Sequence, residues 1–180
     1  MALTSEPTGE RDLGPEADPE SVARKILLDQ LTGRARTRSE LADSLRKRNV
    51  PSAIATRLLD RFEEVGLIDD AVFAQDWIAQ RQATRGLAKR ALAVELKRKG
   101  LDDEVAQSAL GEIDRDAEEA AAREQVRRKL RSMRGVEPER ATRRLVGMLA
   151  RKGHSAGAAY RIVREELEAA GLESVDVPLD

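Results

Sequence analysis

Four groups of residues in this chain have the types and spacings that chemistry uses. Asp69-Asp70 and Asp102-Asp103-Glu104 are neighbouring acids of the kind that ligate Mg²⁺. His154 titrates near neutral pH in its ordinary state. Phe73 and Trp77, one helical turn apart, have the ring types of a base-stacking platform. Arg46-Lys47-Arg48, Lys97-Arg98-Lys99 and Arg151-Lys152 are cation clusters suited to phosphates or acidic protein surfaces. Arg81, Arg85, Lys89 and Arg90 add cations around the turn at Gly86.

The first three groups have a simpler reading. Each acid run falls where a helix should begin, so capping and dipole compensation account for it. No further acids, phosphate loop or second His complete a metal centre. His154 follows Gly153 and reads as a turn residue. Phe73 and Trp77 fall on the helix face that carries apolar residues elsewhere, and read as core. The absence of Cys removes thiol nucleophiles, disulfides and thiolate zinc sites, and fits a reducing, cytoplasmic setting. No nucleophile, base and oxyanion set can be assembled, so neither catalysis nor a metal or cofactor is expected. No run approaches the roughly 18 apolar residues of a membrane span. Met1–Glu20 lacks the apolar segment of a secretory signal.

The cations remain, although the formal net charge is only −1. Residues 1–20 carry net −5, 21–100 net +7, 101–122 net −7 and 123–180 net +4. Two basic bodies are therefore masked by an acidic leader and an acidic patch.

The elements that position these groups are helical. Apolar residues recur at spacings of three and four, and strand-like alternation is nearly absent, which predicts nine helices. Aromatic residues are 2% of the chain, so the cores must be aliphatic. The helices repeat. Asn49, Gly100 and Gly153 each end a helix with cations just before it, and they lie 51 and 53 residues apart. Eight residues before these stops stand Leu41, Leu92 and Leu145. Twenty-seven before stand Val22, Phe73 and Val126, and twenty-three before stand Ile26, Trp77 and Leu130. Nine and ten after stand Leu58-Leu59, Ala109-Leu110 and Ile162-Val163.

The expected fold is all-α: three tandem three-helix repeats, residues 19–66, 67–115 and 116–171, in an elongated, curved array. Residues 1–18 are expected to be a disordered acidic leader and 172–180 a flexible tail. Thr37-Arg38-Ser39-Glu40 has the form of a capping box, and Asp102 and Ser155 are expected helix caps. Leu92, Leu96, Leu145 and Leu149 are expected core residues together with Phe73 and Trp77.

Three runs carry a resemblance to a known family. They are Gly66-Leu67-Ile68-Asp69-Asp70-Ala71-Val72-Phe73-Ala74, the stretch from Gly86 through Leu92 and Leu96 to Gly100, and the stretch from Leu145 to Ser155. With Arg38-Ser39-Glu40-Leu41, they resemble the RecX family of bacterial recombinase regulators over roughly residues 20–170. The family more often has Gly at the Asn49 position and an aromatic at the His154 position. The resemblance implies a negative regulator of the RecA recombinase. It would bind the RecA–single-stranded DNA filament along its groove and restrain growth, ATP hydrolysis and strand exchange, in DNA repair, homologous recombination and the SOS response.

The in-register cations give the expected contact surface, a basic ridge of Arg46, Lys47, Arg48, Arg85, Lys89, Arg90, Lys97, Arg98, Lys99, Arg151 and Lys152. RecA and its filament are the expected partners, with weak direct DNA binding as a second reading and a monomer as the expected state.

Overall fold

The structure is a computed structural model that describes residues 18–133 and 135–172. The expected leader and tail lie outside the described residues, apart from Asp18 and Leu172.

Among the described residues there are nine helices and no strand. Repeat 1 contains α1 (Pro19–Gly33), α2 (Arg38–Arg46) and α3 (Ser52–Glu64). Repeat 2 contains α4 (Asp70–Arg85), α5 (Lys89–Arg98) and α6 (Asp103–Gly111). Repeat 3 contains α7 (Arg115–Arg131), α8 (Pro138–Arg151) and α9 (Ala156–Ala169).

Local chemistry sets the boundaries. Asp18 accepts from the backbone N–H groups of Glu20 and Ser21, and Pro19 supplies a preset φ at the first position of α1. Thr37 and Glu40 form the reciprocal capping box at α2. Asp102 caps Glu104 N–H and Ser155 caps Ala158 N–H. The middle helices α2, α5 and α8 all stop alike. Asn49 (φ 56°), Gly100 (φ 73°) and Gly153 (φ 97°) adopt the left-handed conformation. The next N–H then bonds back to Leu45, Leu96 or Leu149, closing the last turn.

Each repeat has its own core. Leu41 and Leu45 centre the first, Leu92 and Leu96 the second, and Leu145 and Leu149 the third, all six fully buried. Burying one such Leu contributes about 1.5–3 kcal/mol. Every extensive helix pairing lies within one repeat. The three clusters are separate, and Ile68, just past the expected end of the first repeat at residue 66, packs in the first core.

Three apolar positions differ from the register, among them Leu130, which is only partly buried against the repeat 3 core. Val22 is 42% exposed, because α1 buries the stripe Ala23, Ile26 and Leu27 and turns Val22 to its edge. Trp77 only partly joins the repeat 2 core. Its indole N–H donates to Glu95 at 2.8 Å, and its ring stacks on Phe73 with centroids 5.7 Å apart.

Consecutive repeats meet through the ends of their middle helices. At the first joint, Thr37 Oγ1 donates to the Lys99 carbonyl at 2.8 Å, and Arg38 N–H donates to Asp70 at 2.9 Å. Lys99 Nζ reaches Glu40 at 2.7 Å. At the second joint, Ala88 N–H donates to the Lys152 carbonyl at 2.8 Å, and Lys89 N–H donates to Glu118 at 2.8 Å. Lys152 Nζ reaches the Arg85 carbonyl at 2.8 Å and also bonds Gln125. The C-terminal end of α5 thus abuts the N-terminal end of α2, and the C-terminal end of α8 abuts that of α5. The carbonyl at each negative helix end meets a donor at a positive one, the Thr37 hydroxyl at the first joint and the Ala88 N–H at the second, so the dipoles run head to tail.

Candidate functional site

The middle-helix stops divide the expected basic ridge. Lys99 and Lys152 are not surface contacts. The Lys99 side chain is 17% exposed, paired with Glu40 and placed 4.5 Å over the Trp77 ring. Lys152 turns inward onto Arg85 and Gln125, and burial lowers the pKa of its ammonium, with nearby Arg128 adding to the shift. In both, a buried polar joint claims the cation. Arg46, Lys47 and Arg48 are exposed at the far end of α2, in repeat 1, and Arg46 pairs with Asp43 at 2.8 Å. Lys89 and Lys97 are exposed on α5.

The remaining ridge residues converge. Arg85, Arg90, Arg98 and Arg151 line one groove of about 590 Å³ at the joint between repeats 2 and 3. Arg85 lies 3.7 Å from Glu95. Arg90, Arg98 and Arg151 form no ion pair with a described carboxylate. His154 lines this groove too, and burial lowers its pKa, with Glu118 opposing and Lys152 adding to the shift. It is the neutral edge of the groove at neutral pH.

Arg151 also lines a second groove of about 1090 Å³, formed by α7 and α8 with the loop between them. Here Lys129, Arg140, Arg143 and Arg144 surround an apolar floor of Met133, Val136 and Met148. Arg143 pairs with Glu139, while Lys129, Arg140 and Arg144 pair with no described carboxylate. Among the described residues, no acidic side chain lines this groove. The repeat register does not mark these four cations. Their signal was the helical spacing of Arg140, Arg144 and Arg151, which places them along one side of α8.

The α7–α9 contact of repeat 3 shows what the groove lacks. Arg123, Arg127 and Arg161 are neutralised by Glu119, Glu165 and Glu166 between α7 and α9. Hydrogen bonds from Arg161 and Arg123 hold Glu119 down at about 2. Arg127, then Arg123, also lower Glu166, although that carboxylate is 6% exposed. Basic residues are thus plentiful at both places, and only the groove leaves them available for an external anion.

The acid runs serve the backbone. Asp69 caps Val72 N–H at 2.9 Å. Asp70 caps Arg38 N–H across the joint, and burial raises its pKa. The described residues contain no group of three or more side chains that could hold a metal. No helix among them is long and apolar enough to cross a membrane.

Fold and site together define a class: a tandem helical-repeat protein whose described residues expose grooves lined by guanidinium groups, most of them without a carboxylate partner. Comparison with known proteins narrows the class. Residues 23–62, 69–110 and 116–163 match the first, second and third three-helix domains of RecX, respectively. Regulatory protein RecX of Thermobifida fusca is 52% identical over 92% of this chain and 90% of its own length. The Streptomyces lividans protein of that name is 52% identical over 89% and 85%. The crystal structure of RecX from Lactobacillus salivarius superposes with a TM-score of 0.76 at 21% identity, covering 83% of this chain and 97% of that one. The chain belongs to the RecX family.

Proposed function

We propose that this protein is a cytoplasmic, non-enzymatic negative regulator of RecA, binding the RecA–single-stranded DNA filament along its groove. In doing so it restrains filament growth, ATP hydrolysis and strand exchange, and so acts in homologous recombination and DNA repair. The observation that carries the reading is the groove from Lys129, Arg140 and Arg144 through Arg151 to Arg98 and Arg90, whose cations pair with no described carboxylate. Such a row suits a partner that presents acidic surface or bound phosphates over a long distance. Three small cores, with every extensive helix pairing inside one repeat, suit a partner that is contacted over a long distance.

The test is RecA ATPase on single-stranded DNA with increasing amounts of this protein, together with cosedimentation of the protein with filaments. ATPase that does not fall, with no cosedimentation, overturns the reading.

A second reading, direct binding to naked DNA, is favoured by the spacing of Arg140, Arg144 and Arg151 along α8, which suits successive phosphates. It predicts an affinity for bare oligonucleotide that falls steeply with salt.

A further inference from the structure

The two joints between repeats differ in how their charges are satisfied. At the first, Lys99 reaches the Glu40 carboxylate at 2.7 Å, and the neighbouring Arg38 guanidinium pairs with Asp60 and Glu63. At the second, Lys152 meets only neutral oxygens, the Arg85 carbonyl at 2.8 Å and the Gln125 side-chain amide. Glu118 is engaged there by a backbone group, the Lys89 N–H. Among the described residues an ion pair crosses the first joint and none crosses the second.

Further cations gather at that second joint. Arg85, Arg90, Arg98 and Arg151 line its groove of about 590 Å³, where Glu95 is the one carboxylate among the described lining. Glu95 is already taken: the Trp77 indole N–H and Arg81 each donate to it at 2.8 Å, and Arg85 lies 3.7 Å away. Close packing holds the remaining guanidinium groups near one another. A Cβ on Gly153 would lie 2.5 Å from Ala91 N, so the end of α8 that carries Arg151 presses on the first turn of α5, which carries Arg90. Like charges held on both sides of a joint oppose its closure, and an anion between them reverses that contribution.

The groove selects the kind of anion. Arg90 and Arg98 are two helical turns apart, about 12 Å along α5. An extended acidic peptide presents a carboxylate to one side every second residue, about every 6.6 Å, and so offers two over that length. A nucleic-acid strand carries one phosphate per about 3.4 Å of its axis, and so offers three or four. Arginine forks also match phosphate in a bidentate way. No Phe, Tyr or Trp lines the groove, so it offers no stacking platform for bases.

We propose that linked phosphates bind across the second joint, held by Arg90 and Arg98 from α5 and Arg151 from α8, and so tie repeat 3 to repeat 2. Binding needs only the isolated protein. Its part in engaging a filament rests on the functional reading above, in which the same cations receive the partner.

Backbone amides report on the joint directly. Ala88 N–H bonds to the Lys152 carbonyl and Lys89 N–H to Glu118, so both exchange with solvent when the joint opens. Arg38 N–H, bonded to Asp70 across the first joint, is the internal control. Amide hydrogen exchange of the full chain is followed by NMR with and without tripolyphosphate, at matched ionic strength. With free tripolyphosphate at about ten times its Kd, protection of Ala88 and Lys89 should rise about tenfold while Arg38 stays unchanged. R90Q/R151Q should abolish the rise, with Arg38 protection showing that the variant is folded. R46Q/R48Q, at the far end of α2, should keep it.

A single-stranded oligothymidylate of about four nucleotides distinguishes the sources of phosphate. A rise with the oligonucleotide assigns the site to a nucleic-acid backbone, and a rise with tripolyphosphate alone assigns it to a free polyphosphate. No rise with either overturns the proposal. So does an equal rise with orthophosphate or hexaglutamate, or an equal loss in the two double variants. Calorimetric binding without a change at Ala88 and Lys89 overturns the tie between repeats. Failure to inhibit RecA sinks the functional reading and leaves the exchange result to decide this site.

Discussion

Lys99 and Glu40 are 59 residues apart in the chain and 2.7 Å apart in space, and their contact couples repeat 1 to repeat 2. Lys99 carries two further partners. Its ammonium lies over the Trp77 ring, and its carbonyl accepts from Thr37, which is fully buried. K99M keeps most of the apolar stem and removes the charge. It leaves the Glu40 carboxylate, only about a fifth exposed, without its strongest partner. A loss of about 1–3 kcal/mol is expected from that unpaired group. Denaturant unfolding followed by fluorescence of Trp77, the one tryptophan, reads it directly. A K99M/E40Q cycle should show coupling of at least about 0.5 kcal/mol. Additive single mutants would mean that the pair does not hold the joint.

The second joint depends on backbone proximity. A Cβ on Gly153 would lie 2.5 Å from Ala91 N and 2.7 Å from Ala91 Cβ, at a φ of 97°. G153A must therefore push α8 away from α5 or strain the turn. It should destabilise by more than about 1 kcal/mol, the usual scale of a left-handed non-Gly residue. Asn49 holds the same place in repeat 1, where it makes no hydrogen bond to another repeat among the described residues, and its φ of 56° is one that Asn tolerates. N49G should change stability by only a few tenths of a kcal/mol. Comparable thermal shifts from the two changes would refute the packing argument.

The local part of this architecture was legible from the sequence. Capping boxes, left-handed stops and leucine spacing are decided within one or two turns, so Thr37, Gly100 and Leu145 announce themselves. The joints were not. Lys99 and Lys152 sit beside cations that do face solvent, and only partners 59 and 67 residues away distinguish them. Repetition in register had suggested a shared surface role, when in two of the three repeats it marked a shared docking role. The groove cations Lys129, Arg140 and Arg144 were missed for the converse reason. They come from two helices, and their convergence exists only once α7 packs on α8.

The carboxylate network between α7 and α9 makes repeat 3 acid-sensitive. Glu119 falls from 4.5 to about 2 through hydrogen bonds from Arg161 and Arg123. A carboxyl whose pKa is depressed on folding stabilises above its unfolded value and loses that contribution as pH falls toward its folded value. The loss belongs to the window from about 4.5 down to about 2. Glu166 shifts in the same direction, with Arg127 as its main cause. E119Q should therefore lower stability at pH 7 and flatten its dependence on pH below 4.5. Circular dichroism melts from pH 7 to pH 3 measure both. An unaltered acid slope would remove Glu119 from the account.

The groove yields the sharpest separation between binding and folding. Arg98 and Arg144 lie in different repeats, both are exposed, and neither pairs with a described carboxylate. Reversing their charge removes no intramolecular ion pair, so R98E/R144E should unfold within a few tenths of a kcal/mol of wild type. Each reversal alone should weaken filament binding modestly, since exposed charges act mainly on encounter and salt dependence. Together they place two carboxylates along one row of cations, and binding should fall at least about tenfold, or roughly 1.4 kcal/mol. R46E/R48E carries the same change in charge at the distant end of α2, and should cost several-fold less. Cosedimentation with RecA filaments at two salt concentrations separates the cases. Equal losses from the two double variants would mean that net charge, and not the groove, governs association.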